Sequence, residues 1–271
     1  MKEVKHSTKV NLPEEMRLQR FIAKTGLASR RQAEEMIAEG RVKVNGKLVT
    51  QTGTKVRPRF DSVSLDGRRI YIKTQLKVLL LNKPKGVICT RKDPQGRETV
   101  YDMLGSKAAG LQTVGRLDYN SEGVLLLTND GDLAYALTRP ESRVSRVYRV
   151  RVFGPVDEDA MEDVVRNGVE ENGELLRAES IEIDQVTSSN LWMTVVLREG
   201  KNRHIRRIME ALGLTVSRLI RVDFAGVTTE NLRPGVSRLL EASEIATLRK
   251  AVAKKGKKKR PTKRGHSRKK G

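Results

Sequence analysis

Charge is segregated along this chain, and the segregation limits what each part can fold into. Residues 249–271 carry 13 Lys and Arg and no acid, a net +13. Residues 1–73 carry 17 basic and 8 acidic side chains, a net +9, whereas residues 74–248 carry 24 and 25, a net −1. A basic run without hydrophobic residues cannot offset its ordering entropy, so only the near-neutral stretch has the balance of a large folded body. The total of +21 on 271 residues points to a polyanionic partner, either nucleic acid or an anionic membrane surface. It argues against an acidic, calcium-binding or metal-buffering protein.

The hydrophobic pattern narrows this further. The longest purely aliphatic runs are Val78–Leu81 and Val124–Leu127, far short of the ~20 residues that span a bilayer. Met1 to Val10 lacks the apolar stretch of a signal peptide. One cysteine, Cys89, excludes an internal disulfide and a multi-cysteine zinc site, and His6, His204 and His266 are widely separated. There is no P-loop, dinucleotide glycine motif or catalytic triad, and Gly115 to Gly123 is too irregular for a phosphate cradle. The expectation is a cytoplasmic monomer with no membrane association, no metal and no small-molecule cofactor.

Four segments follow: a flexible N-terminus over 1–15, a basic module over 16–73, a large domain over 74–248 and a disordered basic tail over 249–271. No hydrophobic residue follows Ala253. Runs such as Lys257-Lys258-Lys259-Arg260 can contact phosphates without reading sequence.

In the basic module, Leu18, Phe21 and Ile22 have i, i+3, i+4 spacing, which predicts a helix ending near Gly26. Ser29 and Gln32 fit a capping box ahead of a second helix that turns Ala33, Met36 and Ile37 inward and stops at Gly40. Residues 41–49 alternate around Asn45-Gly46, a type I′ hairpin signal, and a further strand over 62–65 leads to Asp66-Gly67. Taken singly, arginines on helix surfaces are mostly solvated. Taken together, "RLQRFIAKTGLASRRQAEEMIAEGRVKVNG" resembles the S4 RNA-binding domain (αL type). That resemblance implies that Arg17, Arg20, Arg30, Arg31 and Lys43 grip structured RNA. It names a partner and no chemistry.

The large domain reads as α+β with a mostly antiparallel sheet. Residues 78–87 predict a buried strand, a Pro-Lys-Gly turn and a second strand holding Cys89, which reads as a small buried hydrophobe. Strands are expected over 124–128, 146–153 and 192–197. A short helix over 129–140 turns Leu133 and Leu137 inward, and a basic amphipathic helix spans 202–212. On pattern alone Asp118 is a turn residue as readily as a catalytic one.

Four ordered blocks then carry a second resemblance. "LNKPKGVICT", "GRLDYNSEGVLLLTNDG", "SRVYRVRVFG" and "REGKNRHIRRIMEALG" are similar to the motifs of RNA pseudouridine synthases of the RsuA type, over about residues 77–245. An S4 domain ahead of this unit is usual in that family. The last block and the basic tail resemble most the B-type enzymes acting on 23S ribosomal RNA. The resemblance implies an isomerase, an intramolecular transferase that moves uracil from its nitrogen to its carbon linkage without redox partner, ATP or metal.

It also implies roles. Asp118 matches the catalytic aspartate, which can attack the sugar, attack the base or act as a base at C2′. Tyr148 matches the active-site tyrosine, whose ring supports a flipped base and whose hydroxyl can assist proton removal from C5. Arg206 matches the arginine that pairs with the aspartate and favours its ionised form. Arg116, two residues before the aspartate, is expected to reach a phosphate or help flip the base, and Arg203 and Arg207 read as RNA contacts. His204 stands where relatives often have Gln or Glu and reads as structural or as a minor RNA contact. The implied partner is ribosomal RNA, 23S or a large-subunit assembly intermediate. The alternatives are a 16S or transfer RNA target, a non-catalytic ribosome-assembly factor, and nonspecific DNA binding suggested by charge alone.

Overall fold

The computed structural model describes residues 12–72, 75–186 and 191–253. In the N-terminal module β1 (Met16–Arg17) leads into α1 (Leu18–Thr25) and α2 (Arg30–Ala38). Strands β2 (Val42–Val44), β3 (Lys47–Val49), β4 (Lys55–Val56), β5 (Val63–Leu65) and β6 (Arg68–Ile70) follow. Gly26 ends α1 with φ of 83°, a left-handed cap that glycine adopts without a Cβ penalty. The Ser29–Gln32 capping box forms in both directions. Asn45 and Gly46 take φ of 51° and 82°, and Asp66 and Gly67 take 51° and 77°, the backbone that I′ turns require. The strands order as β3-β2-β5-β6, all antiparallel. Leu18, Phe21, Ile22, Ala33 and Ile37 pack with Val42, Val56, Val63 and Ile70 in one core. Met36 lies at its margin, only partly buried.

The large domain begins with β7 (Val78–Lys83), α3 (Val100–Leu104), β8 (Gln112–Thr113), β9 (Ser121–Thr128), α4 (Gly131–Thr138) and β10 (Arg146–Phe153). Next come α5 (Glu158–Arg166), β11 (Val169–Glu171), β12 (Glu174–Leu176), β13 (Ser180–Val186) and β14 (Leu191–Leu197). It closes with α6 (His204–Ala211), β15 (Thr215–Phe224), β16 (Val227–Thr228), β17 (Ser237–Leu239) and α7 (Ala242–Ala253). Among the described residues a nine-stranded sheet runs β13-β14-β10-β15-β9-β7-β17, with β16 on β15 and β8 on β9. Its pairs are antiparallel except β15 with β9.

The two four-residue aliphatic runs are explained by this topology. Strands β7 and β9 are covered on both faces, so neither face can be polar. Leu79, Leu81, Leu125 and Leu127 enter one core with Ile205, Ile208 and Met209 of α6 and Met161 and Val164 of α5. Val78, Leu80, Val124 and Leu126 enter a second with Leu133 and Leu137 of α4 and Ile245 and Leu248 of α7. Each fully buried leucine contributes about 1.5–3 kcal/mol, so the sheet centre is the most strongly held part of the chain.

Two expectations change. The strand expected after the Pro-Lys-Gly turn does not form; residues there make only an isolated bridge, Ile88 with Thr99. The Gly86 and Ile88 amides donate instead to the carbonyls of Tyr119 and Glu98, so no ladder propagates. Cys89 packs partly buried against the core, where burial pushes its thiol up. The basic tail was expected from residue 249, but α7 is helical through Ala253, because Ile245 and Leu248 anchor it to the sheet. Residues 1–11 of the expected N-terminal arm and 254–271 of the tail lie outside the described residues.

Candidate active site

The loop before β9 carries Arg116 and Asp118, and a buried lysine holds it. Lys83, the last residue of β7, has no exposed surface. Its Nζ donates to the carbonyls of Pro84 at 3.0 Å, Asp118 at 3.2 Å and Ser121 at 2.8 Å. Burial lowers the lysine pKa, and the charges of Asp118 and Glu122 oppose that. The Gly86 amide donates to the Tyr119 carbonyl at 2.9 Å and the Leu117 amide to Cys89 Sγ at 3.5 Å. The turn after β7 therefore fixes the backbone on both sides of Asp118.

Asp118 is exposed at the mouth of a cavity of about 310 Å³, within the range of small-molecule clefts. Arg116, Tyr148, Arg203 and His204 line the same cavity. Tyr148 is 8% exposed and stands opposite Arg221 in the β10–β15 register. His204, at the start of α6, is buried with both ring nitrogens unpartnered. Desolvation pulls it down to about 4, against the pull of Glu199, so the imidazole is neutral at pH 7. Among the described residues no three His, Cys, Asp or Glu side chains cluster as a metal donor set.

Arg206 is placed differently from the expectation. No carboxylate lies within ion-pair distance of it among the described residues, so the closed pair with Asp118 is not formed. Its Nη1 donates to the Val216 carbonyl at 3.2 Å and its Nη2 to the Asn120 carbonyl at 3.4 Å. Burial lowers its pKa and the charge of Asp118 raises it. The guanidinium thus braces the backbone two residues beyond Asp118 and acts on that carboxylate through its field.

The expected RNA contacts separate into two groups. Arg17, Arg30, Arg31 and Lys43 are exposed, and no carboxylate pairs with them among the described residues. Arg20 instead pairs with Asp132 of α4, beside Lys24 at 3.4 Å from the same carboxylate. Arg207 is only 12% exposed and is held by Glu171 and, at 2.6 Å, by Glu174, which neutralise it on the β11–β12 hairpin. Carboxylates distant in sequence thus already pair with Arg20 and Arg207 within the protein. Arg203 has a left-handed backbone with φ of 48° and reaches Glu210 at 3.2 Å while remaining half-exposed at the cavity.

Three residues of the site escaped the sequence reading. Lys83 was lost inside a turn motif. Arg146 and Arg221 line the cavity floor and are 5% and 3% exposed. The available signal for Arg146 was parity: it lies two residues before Tyr148 in a strand, hence on the same face.

Comparisons with known proteins show the family. A family described as RNA pseudouridylate synthase matches residues 77–211, and the S4 domain matches residues 16–59. An uncharacterized RNA pseudouridine synthase of Mycobacterium tuberculosis is 39% identical over 244 residues, 89% of this chain and 95% of that protein. The chain is an RNA pseudouridine synthase. The synthase is also 42% identical to ribosomal large subunit pseudouridine synthase B of Haemophilus influenzae, over 78% of this chain and 60% of that protein. A crystal structure of a pseudouridylate synthase superposes with a TM-score of 0.60 at 29% identity, covering 86% of this chain and 99% of that one. The synthase thus joins an S4 domain to a mixed-sheet catalytic domain, and no helix among its described residues is long and apolar enough to cross a membrane.

Proposed function

We propose that this synthase converts a specific uridine of ribosomal RNA to pseudouridine, with 23S RNA of the large subunit as substrate. The observation that carries the reading is the cavity that Asp118 and Tyr148 share, open at the aspartate and closed at the tyrosine. The similarity to large-subunit synthases B of Haemophilus influenzae and Yersinia pestis, 42% and 41% identical, favours the large subunit.

A uridine cannot react inside a helix, so it is extruded into the cavity. Asp118 at the mouth meets the sugar, where its carboxylate bonds to C1′, adds to the base or takes the C2′ proton. Tyr148 supports the base against its ring and stands ready to assist removal of the C5 proton. Arg206 holds the Asp118 loop through the Asn120 carbonyl. Arg116 and Arg203 at the rim meet the flanking phosphates, and Arg17, Arg30, Arg31 and Lys43 of the S4 domain hold structured RNA further out. The test is to map pseudouridines across 23S, 16S and transfer RNA with and without the gene. Loss of one 23S site is expected; loss only in 16S or transfer RNA moves the substrate, and no loss anywhere sinks the reading.

A further inference from the structure

Two buried cations at the cavity floor form no ion pair among the described residues. Arg146 donates from Nη1 to the Val144 carbonyl at 2.8 Å and from Nη2 to the Leu137 carbonyl at 3.4 Å. Arg221 donates from Nε to the Val124 carbonyl at 2.8 Å, and its Nη2 is buried without a partner. Both guanidinium carbons face the Phe224 ring, at 5.5 and 4.7 Å from its centroid. No carboxylate lies within ion-pair distance of either among the described residues. Burial lowers the Arg146 pKa most and the neighbouring Arg221 charge lowers it further, while Tyr148 and the more distant Glu199 carboxylate oppose them.

Buried, mutually repelling charges without an ion-pair partner cost several kcal/mol and persist where something else is gained. Carbonyl partners and a ring face hold the two groups in place without neutralising them. Their field therefore points into a cavity that Tyr148 also lines, directly opposite Arg221 in register.

Depth selects what they meet. Asp118, Arg116 and Arg203 stand exposed or half-exposed at the rim, where backbone phosphates stay. Arg146 and Arg221 are 5% and 3% exposed, at the depth a flipped base reaches. We infer that Arg146 and Arg221 form a leaving-group site that donates to the uracil carbonyl oxygens and stabilises the base as an anion while it is detached from the sugar. This rests on the isomerase reading above.

The step balances without a co-reactant. The C1′–N1 bond breaks with its electron pair staying on uracil, whose charge spreads over N1, O2 and O4. Asp118 meanwhile bonds to C1′, or takes the C2′ proton and later returns it. The anion then forms the C5–C1′ bond as the Asp118 carboxylate leaves C1′ with its electron pair, or as the proton returns to C2′; C5 loses its proton and N1 gains one. Fixed donors aimed at charge that develops only during reaction accelerate the step without tightening ground-state binding.

The experiment uses the full chain and a short synthetic RNA holding the mapped uridine, unmodified or with sulfur replacing O2 or O4. Arg221→Gln is expected to lower turnover at saturating RNA by about 100-fold with little change in RNA affinity, as for loss of one oxyanion donor. Sulfur at the contacted position should slow the wild-type enzyme and slow Arg221→Gln little further, because the contact is already gone. Arg146→Lys and Arg221→Lys keep the buried charge and are read beside thermal unfolding, so a folding defect is seen as such. Unchanged turnover, a loss in KM alone, or sulfur and arginine effects that simply multiply would each overturn the proposal; the KM result would make the pair a phosphate site. Failure of the isomerase reading shows separately, as wild-type enzyme that forms no pseudouridine.

Discussion

Gly123 of β9 lies so close to Arg221 of β15 that a Cβ built on it would stand 2.2 Å from the Arg221 carbonyl oxygen. Gly123 has φ of 100°, and its other register partner is Lys83. This glycine lets the parallel β9–β15 contact close and brings the Asp118 loop, the lysine and the cavity floor together. Gly123→Ala forces backbone apart where no flexible side chain can yield. It should destabilise the protein by about 3 kcal/mol and remove activity, measured by guanidinium unfolding and tritium release from C5-labelled uridine.

Asp118→Asn should abolish isomerisation and leave RNA affinity almost unchanged, since the catalytic domain contributes little net charge to the grip. Filter binding and tritium release separate the two. Activity within tenfold of wild type would remove Asp118 from the mechanism. Arg206→Ala should cost most of the turnover and Arg206→Lys less, because lysine keeps the field but cannot reach the Asn120 and Val216 carbonyls together.

Lys83→Met leaves the carbonyls of Pro84, Asp118 and Ser121 without their shared donor. Loss of these bonds outweighs relief of the lysine's desolvation, with a net cost of about 2–3 kcal/mol. The expected signature is increased amide exchange in residues 115–121 alongside reduced turnover. Unchanged exchange there would mean that the loop holds itself.

Acid should weaken the fold through His204. Its folded value of about 4 lies below the unfolded 6.5, so the unfolded chain takes up the proton first as pH falls. Stability present at pH 7 is lost progressively from about pH 6.5 to 4, reaching roughly 3 kcal/mol. Glu199 and Glu174 favour the proton, and Lys201 and Arg207 oppose it. His204→Gln should flatten unfolding free energy against pH across that interval; an unchanged slope would assign the loss to other groups.

Deleting residues 254–271 should leave turnover at saturating RNA unchanged and raise the apparent KM. A basic, apolar-free segment gains affinity through counterion release, about 0.9 in the slope of log K against log salt per phosphate contact. Binding titrations of full-length and truncated protein across a salt series read the difference. Equal slopes would mean that the tail does not touch RNA.

Local signals were enough wherever a few neighbouring residues decide the outcome. The Ser29–Gln32 box, the Asn45-Gly46 turn, the strands at Val78–Leu81 and Val124–Leu127 and the helix around Ile205 and Ile208 are short-range matters of capping, turn chemistry and periodicity. The motif blocks likewise named Asp118, Tyr148 and Arg206 from sequence. What the chain order could not convey was who neutralises whom. Arg20 meets Asp132 across 112 positions and Arg207 meets Glu171 across 36, so two cations that read as RNA contacts are occupied within the protein. Arg146 reads as an ordinary strand arginine and Arg221 falls where no element is expected, yet both are buried without an ion-pair partner among the described residues. Charge pairing depends on distances of a few ångströms between segments remote in sequence, and only the packed sheet sets those distances.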